Sequence, residues 1–179
     1  LEGQLSYSRL LADNHQIDGL LLYNMRDYVN ADAASAIYSL PYRTQGIAAR
    51  LSYSYKGRYF IEGNFGYNGS ENFSKGNKWG FFPSVAGGWL VTNEKFMENA
   101  LSVLSKLKFR GSYGLVGNDQ LAGRRFAFLS TINSGNGFTY GLTGNQGIGG
   151  KFEGDFGVED LSWETVKKTD IGVEIGLWD

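Results

Sequence analysis

The sequence contains no cysteine, only two prolines and a single histidine, His15. Without cysteine, the chain can form neither a disulfide framework nor a thiolate nucleophile or metal ligand. His15 lies in a turn segment with no second histidine to share a metal ion, so we predict no metal site there. Most nucleophile–base pairs also require histidine or cysteine. We therefore predict no catalytic residue, no cofactor and no enzymatic activity.

Long apolar runs and a strong charge of one sign are also missing. No segment approaches the roughly 18 consecutive apolar residues of a membrane-spanning helix. The formal net charge is −1, which provides no basic field, so we expect no nucleic-acid partner. No signal peptide is present, and residues 1–4 and 175–179 both lie within alternating patterns. We therefore expect a fragment of a longer protein.

Glycine and aromatic residues are abundant instead. The 179 residues include 26 glycines, 12 phenylalanines, 11 tyrosines and 4 tryptophans. Glycine enriched together with proline would indicate disorder, whereas glycine with many aromatic residues indicates many turns and a β surface. The composition therefore favours an all-β protein.

Apolar and polar residues alternate along most of the chain, which is the pattern of β-strands with one apolar face. The clearest strands, 46–55 and 59–68, are joined by the tight turn Lys56-Gly57. Each has the ~9–11 residues that a tilted membrane-spanning strand requires. The predicted strands are 1–11, 17–26, 46–55, 59–68, 79–91, 107–115 and 169–177.

Three segments between or within these strands carry predictions of their own. Pro83 lies inside the fifth strand and requires a bulge or a strand end there, because proline cannot donate to the ladder. Asn93 is predicted to cap a short helix over 93–105, where apolar residues recur at helical spacing. The segment from 117 to about 160 is rich in glycine and asparagine, and we expect it to contain a hairpin.

The connections differ in length in a regular way. In chain order they are short, long, short, medium-long, helical and very long. Bacterial barrels have short periplasmic turns and longer extracellular loops, and successive connections lie on opposite sides. We therefore expect 28–42, 69–78 and 117–160 to face the cell exterior and the helix to face the periplasm. An odd number of strands again indicates a fragment, since complete bacterial barrels are normally even.

Three features favour a membrane barrel over a soluble sandwich. The polar faces of the strands carry charged side chains that a wet lumen accommodates, and the strands exceed the ~5–6 residues usual in globular proteins. Aromatic residues gather near strand ends, as in the two interface girdles of a barrel. They are Tyr7, Tyr55 and Tyr59 toward short turns, and Tyr28, Tyr42 and Trp79 toward long loops. The predicted fold is an all-β transmembrane antiparallel β-barrel, of which about seven strands are present.

Four stretches, in this order along the chain, resemble a known family. They are GYNGSENF at 66–73 followed by WGFFPSVAGGW at 79–89, NEKFM at 93–97, LKFRGSYGLVGND at 107–119, and LSWETVKKTDIG at 161–172. From about residue 45 to the end, the sequence resembles the C-terminal part of the barrel in SusC/RagA-type TonB-linked (TonB-dependent) outer-membrane transporters.

The resemblance implies a barrel of about 22 strands, closed by an N-terminal plug domain and located in the outer membrane. Residues 1–179 would be part of that barrel domain, without the plug domain and the remaining strands. The family imports glycans or peptides with energy delivered by TonB. The implied partners are a SusD-like surface lipoprotein, the TonB complex, outer-membrane lipid and a glycan or peptide substrate.

Ligand contacts are predicted at aromatic residues of the long loops, because aromatic faces stack on sugar rings. The candidates are Tyr38, Tyr42, Phe138 and Tyr140. We interpret Trp163, at the start of the last strand, as an anchor for the long loop before it rather than as a ligand contact. Two other functions remain open: a soluble or surface β-rich carbohydrate-binding module, and a passive porin or adhesin barrel. A plug and a TonB box in the parent protein would distinguish active from passive transport.

Overall fold

The computed structural model describes residues 1–32, 39–100, 103–121, 124–142, 144 and 146–178. Nine strands account for most of them, and no helix in these ranges is long and apolar enough to cross a membrane. The strands are β1 (Glu2–Leu11), β2 (His15–Tyr28), β3 (Tyr42–Tyr55), β4 (Tyr59–Ser70), β5 (Trp79–Leu90), β6 (Leu104–Asn118), β7 (Ile132–Tyr140), β8 (Gln146–Glu153) and β9 (Glu164–Leu177).

Seven strands form one antiparallel sheet in the order β1-β2-β3-β4-β5-β6-β9, while β7 and β8 pair separately. The prediction of an all-β fold with seven main strands is confirmed, as is the hairpin expected within 117–160. The strands of the large sheet have 10 to 15 residues, enough to span a bilayer when tilted. Neighbouring strands in the sheet are also neighbours in sequence, except where the hairpin β7–β8 is inserted before β9.

The register places the apolar faces of all seven strands on the same side. One cross-strand row of that side is Tyr7, Gly19, Leu51, Gly63, Val85, Tyr113 and Thr169. The adjacent row on the opposite side is Ser8, Asp18, Ser52, Glu62, Ala86, Ser112 and Asp170. Because side chains alternate between faces, one residue of slip would exchange the two rows. We refer to these two sides as the apolar face and the polar face.

The apolar face is not covered by any other layer of the described residues. Leu51 and Ile61 are 60% and 56% exposed, and buried apolar residues are few: Phe73, Val91, Phe126 and Ala127. A soluble sandwich would bury this face against a second sheet. An uncovered apolar face on long strands is what a barrel wall presents to lipid, so the fold agrees with the barrel prediction.

Two short turns at one end of the sheet use left-handed backbone conformations. Lys56 and Gly57 have φ of +53° and +62°, and Ala12 and Asp13 have φ of +47° and +57°. Consecutive positive φ values define the type I′ turn, whose twist suits a hairpin. The two turns contact each other, because the Lys56 amide donates to the Asn14 carbonyl at 2.7 Å. We call this the short-turn end of the sheet, and we call the opposite end of the strands the long-loop end.

The connection between β5 and β6 also lies at the short-turn end, but it is not the predicted helix. It contains 3₁₀ turns at Val91–Asn93 and Lys95–Ala100, and β6 already begins at Leu104. Asn93 does not cap a helix, since its side-chain amide donates to the Gly57 carbonyl at 3.0 Å. The helix over 93–105 was therefore a wrong prediction. A short isolated helix is only marginally stable, and pairing with β9 draws residues from Leu104 onward into the sheet.

Pro83 lies where the ladder between β5 and β6 ends. It faces Phe65 of β4, and the last pair toward the long-loop end between β5 and β6 is Ser84 with Gly114. Beyond that pair, β6 continues to pair with β9 as far as Asn118. The proline thus stands at the end of one ladder inside a continuous strand, consistent with its missing donor.

Candidate functional site

Five rings form a belt across the apolar face near the short turns. They occupy facing positions on β2, β3, β4, β5 and β6, with neighbouring ring centroids 4.9 to 6.5 Å apart. The rings belong to His15, Tyr55, Tyr59, Trp89 and Phe109. Amphipathic rings in such a row are characteristic of the interface between apolar lipid and water. The predicted gathering of Tyr55 and Tyr59 at this end is confirmed.

Glu94, in the connection between β5 and β6, holds two rings of this belt. Its Oε1 accepts hydrogen bonds from the Tyr59 hydroxyl at 2.6 Å and from Trp89 Nε1 at 3.2 Å. Its Oε2 accepts from Arg58 Nη1 at 3.1 Å. The hydrogen bond from Tyr59 lowers the pKa of Glu94, and the hydrogen bond from Trp89 and the charge of Arg58 act in the same direction. Burial of the carboxyl group opposes them. The Glu94 side chain is only 12% exposed, so the ionised carboxylate is a fixed part of the belt.

A second aromatic group lies on the apolar face toward the long-loop end. Tyr67 stacks on Trp79 with centroids 4.8 Å apart, and Phe65 lies 5.8 Å from Phe81. Tyr59 and Tyr67 are eight residues apart on β4, about 26 Å of extended strand. At the usual tilt of ~35–45°, that length crosses most of an apolar band about 25 Å tall.

The polar face carries paired charges. Arg50 Nε donates to Glu62 Oε2 at 2.8 Å, and Lys106 Nζ lies 2.7 Å from Glu174 Oε2. Each pair joins neighbouring strands, β3 to β4 and β6 to β9. The sheet thus separates a lipid-compatible side from a charged, water-compatible side, as the sequence alternation predicted.

Trp163 anchors the long segment before β9 at the long-loop end. Its Nε1 donates to the Lys78 carbonyl at 3.1 Å, and its ring lies 5.5 Å from Phe73 and 5.1 Å from Phe82. Phe73 is completely buried in this group. A side chain at Gly117 would overlap the ring of Phe82, so only glycine at this position leaves room for the ring. The geometry agrees with the interpretation of Trp163 as a structural anchor.

A polar contact fixes the other end of the same long segment. Asp119 Oδ2 accepts from the buried Ser70 hydroxyl at 2.7 Å, and its carbonyl accepts from Asn72 Nδ2 at 3.1 Å. The loop after β4 and the end of β6 are thereby joined. These residues belong to the motifs that carried the family resemblance.

The candidate ligand residues fall into separate places. Tyr38 lies outside the described residues. Tyr42 begins β3, and the guanidinium of Arg125 lies 5.1 Å from its ring centroid. Arg125 also donates to the Pro41 carbonyl at 3.1 Å and lies 4.8 Å from the ring of Phe126. One face of Tyr42 is therefore already covered by the long loop.

Phe138 and Tyr140 lie together on the separate hairpin β7–β8. Phe138 faces Ile148 across the pair, and Phe152 lies on the same side of the hairpin beyond a bulge at Gly135. Phe138 is 72% exposed and Tyr140 46% exposed. Among the described residues no ring contact joins either of them to Tyr42. Two of the four candidates thus share one exposed apolar surface.

Metal-binding side chains do not cluster in the residues that the structure describes. No group of three or more histidine, cysteine, aspartate or glutamate side chains there could hold a metal ion. His15 Nδ1 lies 2.7 Å from the Tyr53 hydroxyl, so the imidazole contributes to the belt. Glu94 and Arg125 could not be identified from the sequence, because Glu94 contacts Tyr59 and Arg125 contacts Tyr42, both far away in the chain.

The chain is similar to curated TonB-dependent receptors. It is 33% identical over 133 residues to TonB-dependent receptor P3 of Formosa agariphila, which covers 74% of the chain and 13% of that protein. It is 34% identical over 128 residues to TonB-dependent receptor SusC of Bacteroides thetaiotaomicron, which covers 72% of the chain and 12% of SusC. The matched part of the chain therefore covers about an eighth of the length of each of these relatives. No protein-family model matches it.

Solved structures show the same fold. The RagAB peptide transporter matches 99% of the chain and 21% of its own matched chain, with a TM-score of 0.78 and 20% identity. The RagAB peptide importer in the closed-closed state matches 98% of the chain and 21% of its own, with a TM-score of 0.77 and 19% identity. At such identities the likeness concerns the fold. With the curated relatives, it identifies the chain as part of the barrel of a SusC/RagA-type TonB-dependent receptor.

Proposed function

We propose that the parent protein of this chain is an outer-membrane importer that takes up nutrients with energy from TonB. The observation that carries the proposal is the seven-stranded wall with an exposed apolar face, bounded by aromatic rings and backed by a charged polar face. This architecture suits a wide, water-filled barrel. The similarity to TonB-dependent receptors supports active rather than passive transport. In this role the chain lines part of the path that the nutrient takes through the barrel, and it has no enzymatic activity.

The rest of the domain organisation belongs to the same proposal. Residues 1–179 form part of a barrel domain whose remaining strands and plug domain lie elsewhere in the parent protein. The long loops 28–42, 69–78 and 117–160 face the cell exterior, and the turns that carry Lys56 and Glu94 face the periplasm. A SusD-like lipoprotein covers the exterior opening. The much greater length of the curated relatives supports this assignment.

The substrate is a glycan or a peptide that contacts the loop aromatics Tyr38, Tyr42, Phe138 and Tyr140. Phe138 and Tyr140 contribute most in this proposal, because their rings are exposed on one surface, whereas Arg125 covers one face of Tyr42. Aromatic faces stack on sugar rings, which supports a glycan. The peptide import of RagAB supports the alternative.

A genetic experiment tests the transport function. The parent gene is deleted and growth is measured on a panel of glycans and peptides, with and without an active TonB complex. We expect growth on one class to be lost in both the deletion strain and the strain without TonB. Uptake that survives the loss of TonB would instead indicate a passive porin, and unchanged growth together with lost surface attachment would indicate an adhesin.

A biochemical experiment tests the membrane location against the soluble-module alternative. Residues 1–179 are expressed alone without detergent, and the product is examined by size exclusion and NMR. We expect aggregation, because a wide apolar face and open strand edges would meet water. A folded monomer with sharp side-chain signals would contradict the barrel.

A further inference from the structure

A cavity of about 380 Å³ lies in the polar face near the short turns. Side chains from β2, β3, β4 and β6 line it, and small residues of β5 form part of its floor. The side chains with functional groups or large rings include Asp18, Arg50, Phe60, Glu62, Lys108 and Arg110. The cavity can hold one side chain or a single sugar ring, and it is distinct from the aromatic loop residues discussed above.

The two acidic residues of this cavity already accept hydrogen bonds from other side chains of the same sheet. Asp18 Oδ1 accepts from the Ser8 hydroxyl at 2.6 Å and from Gln16 Nε2 at 2.9 Å. Glu62 Oε2 accepts from Arg50 Nε at 2.8 Å. Asp170 and Glu174, the carboxylates of β9 on this part of the polar face, lie outside the lining. The acidic residues are therefore held by groups other than Lys108 and Arg110.

The two basic residues of β6 are not neutralised to the same extent. Lys108 faces Glu174 across the β6–β9 ladder, but no described carboxylate lies within ion-pair distance of its Nζ, which is 5.3 Å from the ring centroid of Phe60. Arg110 Nε reaches Glu174 Oε1 only at 3.8 Å, while the other oxygen of Glu174 is 2.7 Å from Lys106 Nζ. Glu174 thus lies among three cations, and its shortest ion-pair contact is with Lys106 rather than with Lys108 or Arg110.

Glycines keep the space beside these two cations open. Arg110 faces Gly88 on β5 and Gly172 on β9. A Cβ at Gly172 would lie 2.7 Å from Arg110 Nε, and one at Gly88 would lie 3.5 Å from Lys108 Cε. A side chain at Gly172 would push the Arg110 guanidinium aside, and one at Gly88, which lines the cavity, would occupy part of it. The ladder therefore presents both donors to the lumen side.

We propose that Lys108 and Arg110 bind a carboxylate in this cavity. A planar guanidinium and an adjacent ammonium are suited to the two oxygens of a carboxylate, and such charge-assisted hydrogen bonds are among the strongest in proteins. Phe60 supplies an apolar wall for the carbon atoms attached to that group. The carboxylate comes either from an acidic residue of the parent protein outside residues 1–179 or from a passing substrate. The second source rests on the proposed import function, whereas the first does not.

Zero-length crosslinking in the full-length parent protein tests the first source. Outer-membrane vesicles are treated with a water-soluble carbodiimide, which joins an amine to a carboxylate in contact with it, and the peptides are identified by mass spectrometry. The pair Lys106–Glu174 is the internal positive control because of its 2.7 Å contact. We expect a crosslink from Lys108 to an acidic residue outside residues 1–179 that disappears in Lys108→Gln. A crosslink from Lys108 to Glu174, Glu62 or Asp18 would contradict the proposal.

If Lys108 forms no crosslink, ligand binding tests the second source. Trigalacturonate and its neutral methyl ester are titrated into the detergent-solubilised parent protein. We expect the acid alone to bind, and Lys108→Gln and Arg110→Gln each to weaken it about tenfold or more. Lys168→Gln, on the polar face outside the cavity, is the matched control. Equal binding of acid and ester, no binding of either, or insensitivity to both substitutions would overturn the proposal.

Discussion

The carboxylate of Glu94 accepts a 2.6 Å hydrogen bond from the hydroxyl of Tyr59, 35 residues earlier in the chain. The contact joins the connection after β5 to the first residue of β4, at the edge of the apolar face. Trp89 and Arg58 donate to the same carboxylate. The Glu94 side chain therefore holds two rings of the belt and the β3–β4 turn together. A residue of the β5–β6 connection therefore fixes two rings at the end of the apolar face.

Glu94→Gln should lower the stability of the barrel in a pH-dependent manner. The folded pKa of Glu94 is depressed, so its contribution is complete above the ordinary glutamate pKa of about 4.3. That contribution is lost as the pH falls through the lower folded pKa. Thermal unfolding of the full-length protein in detergent should show wild type more stable than Glu94→Gln near neutrality, with the difference shrinking in acid.

The matched control for that measurement is Glu98→Gln, because Glu98 is exposed on the same connection. It should follow wild type at every pH. A constant difference between wild type and Glu94→Gln across the acid range would show that ionisation of Glu94 does not stabilise the belt.

Leu51→Arg should disrupt insertion of the wall into lipid. Leu51 lies on the apolar face midway between Tyr55 and Ile47 on β3, which places it near the centre of the apolar band. A cation at that depth costs about 2–4 kcal/mol in an outer-membrane barrel. Folding into liposomes, followed by heat-modifiable mobility in gels, should fall for Leu51→Arg. Ser52→Arg points to the polar face and should insert normally, and equal loss in both variants would contradict the assigned faces.

Trp163→Ala should release the long loop. The substitution removes a half-buried ring from Phe73 and Phe82 and a donor from the Lys78 carbonyl, a loss of about 3 kcal/mol or more. Trypsin added to intact cells should then cut after Arg124, Arg125 or Lys151 more than tenfold faster. Phe156→Ala, at a strongly exposed position of the same loop, should be cut at the wild-type rate. Resistance of Trp163→Ala would contradict the anchoring role.

Gly117→Val should displace the ring of Phe82 from its place and lower stability by about 1–3 kcal/mol. Combining it with Phe82→Ala should cost less than the sum of the two single changes, because the second removes the clash that the first creates. Gly63→Val is the control, since a side chain at Gly63 meets open space on the apolar face. Denaturant unfolding of wild type, the two single variants and the double variant measures the coupling between the two sites. Strict additivity of the changes in unfolding free energy would show that the sites are independent.

The strands could be predicted from sequence because the period of two is local. Residues 46–55 and 59–68 alternate cleanly, and the register of β3 with β4 follows from the intervening tight turn. The motif around Trp163 likewise pointed to an anchor. The end of the 93–105 segment could not be predicted in this way, because Leu104 pairs with a residue of β9 more than 70 positions later in the chain. The residues before Leu104 are too few for a stable helix and form 3₁₀ turns instead.

The side-chain partners at the candidate sites depend on long-range contacts that no local pattern encodes. Tyr42 and Arg125 are 83 positions apart in the chain, and only the folded long loop brings the cation over the ring. The shared surface of Phe138 and Phe152 depends on the bulge after Gly135, which restores a common side to residues whose spacing alone would not show it. The lack of an ion-pair contact at Lys108 could be recognised only in the structure, where Glu174, which faces Lys108 across the ladder, contacts Lys106 instead.

The position of Pro83 has a mechanical consequence for the rim of the wall. In the described ranges 79–83 and 115–118, no backbone pairing joins β5 to β6, while β6 stays paired with β9 to its end. Cohesion between β5 and β6 there comes from Phe82, Trp163 and Gly117 in place of amide hydrogen bonds. The outer part of this strand pair can therefore change its separation by repacking rings, while the backbone pairs from Ser84–Gly114 to Leu90–Lys108 keep the two strands joined.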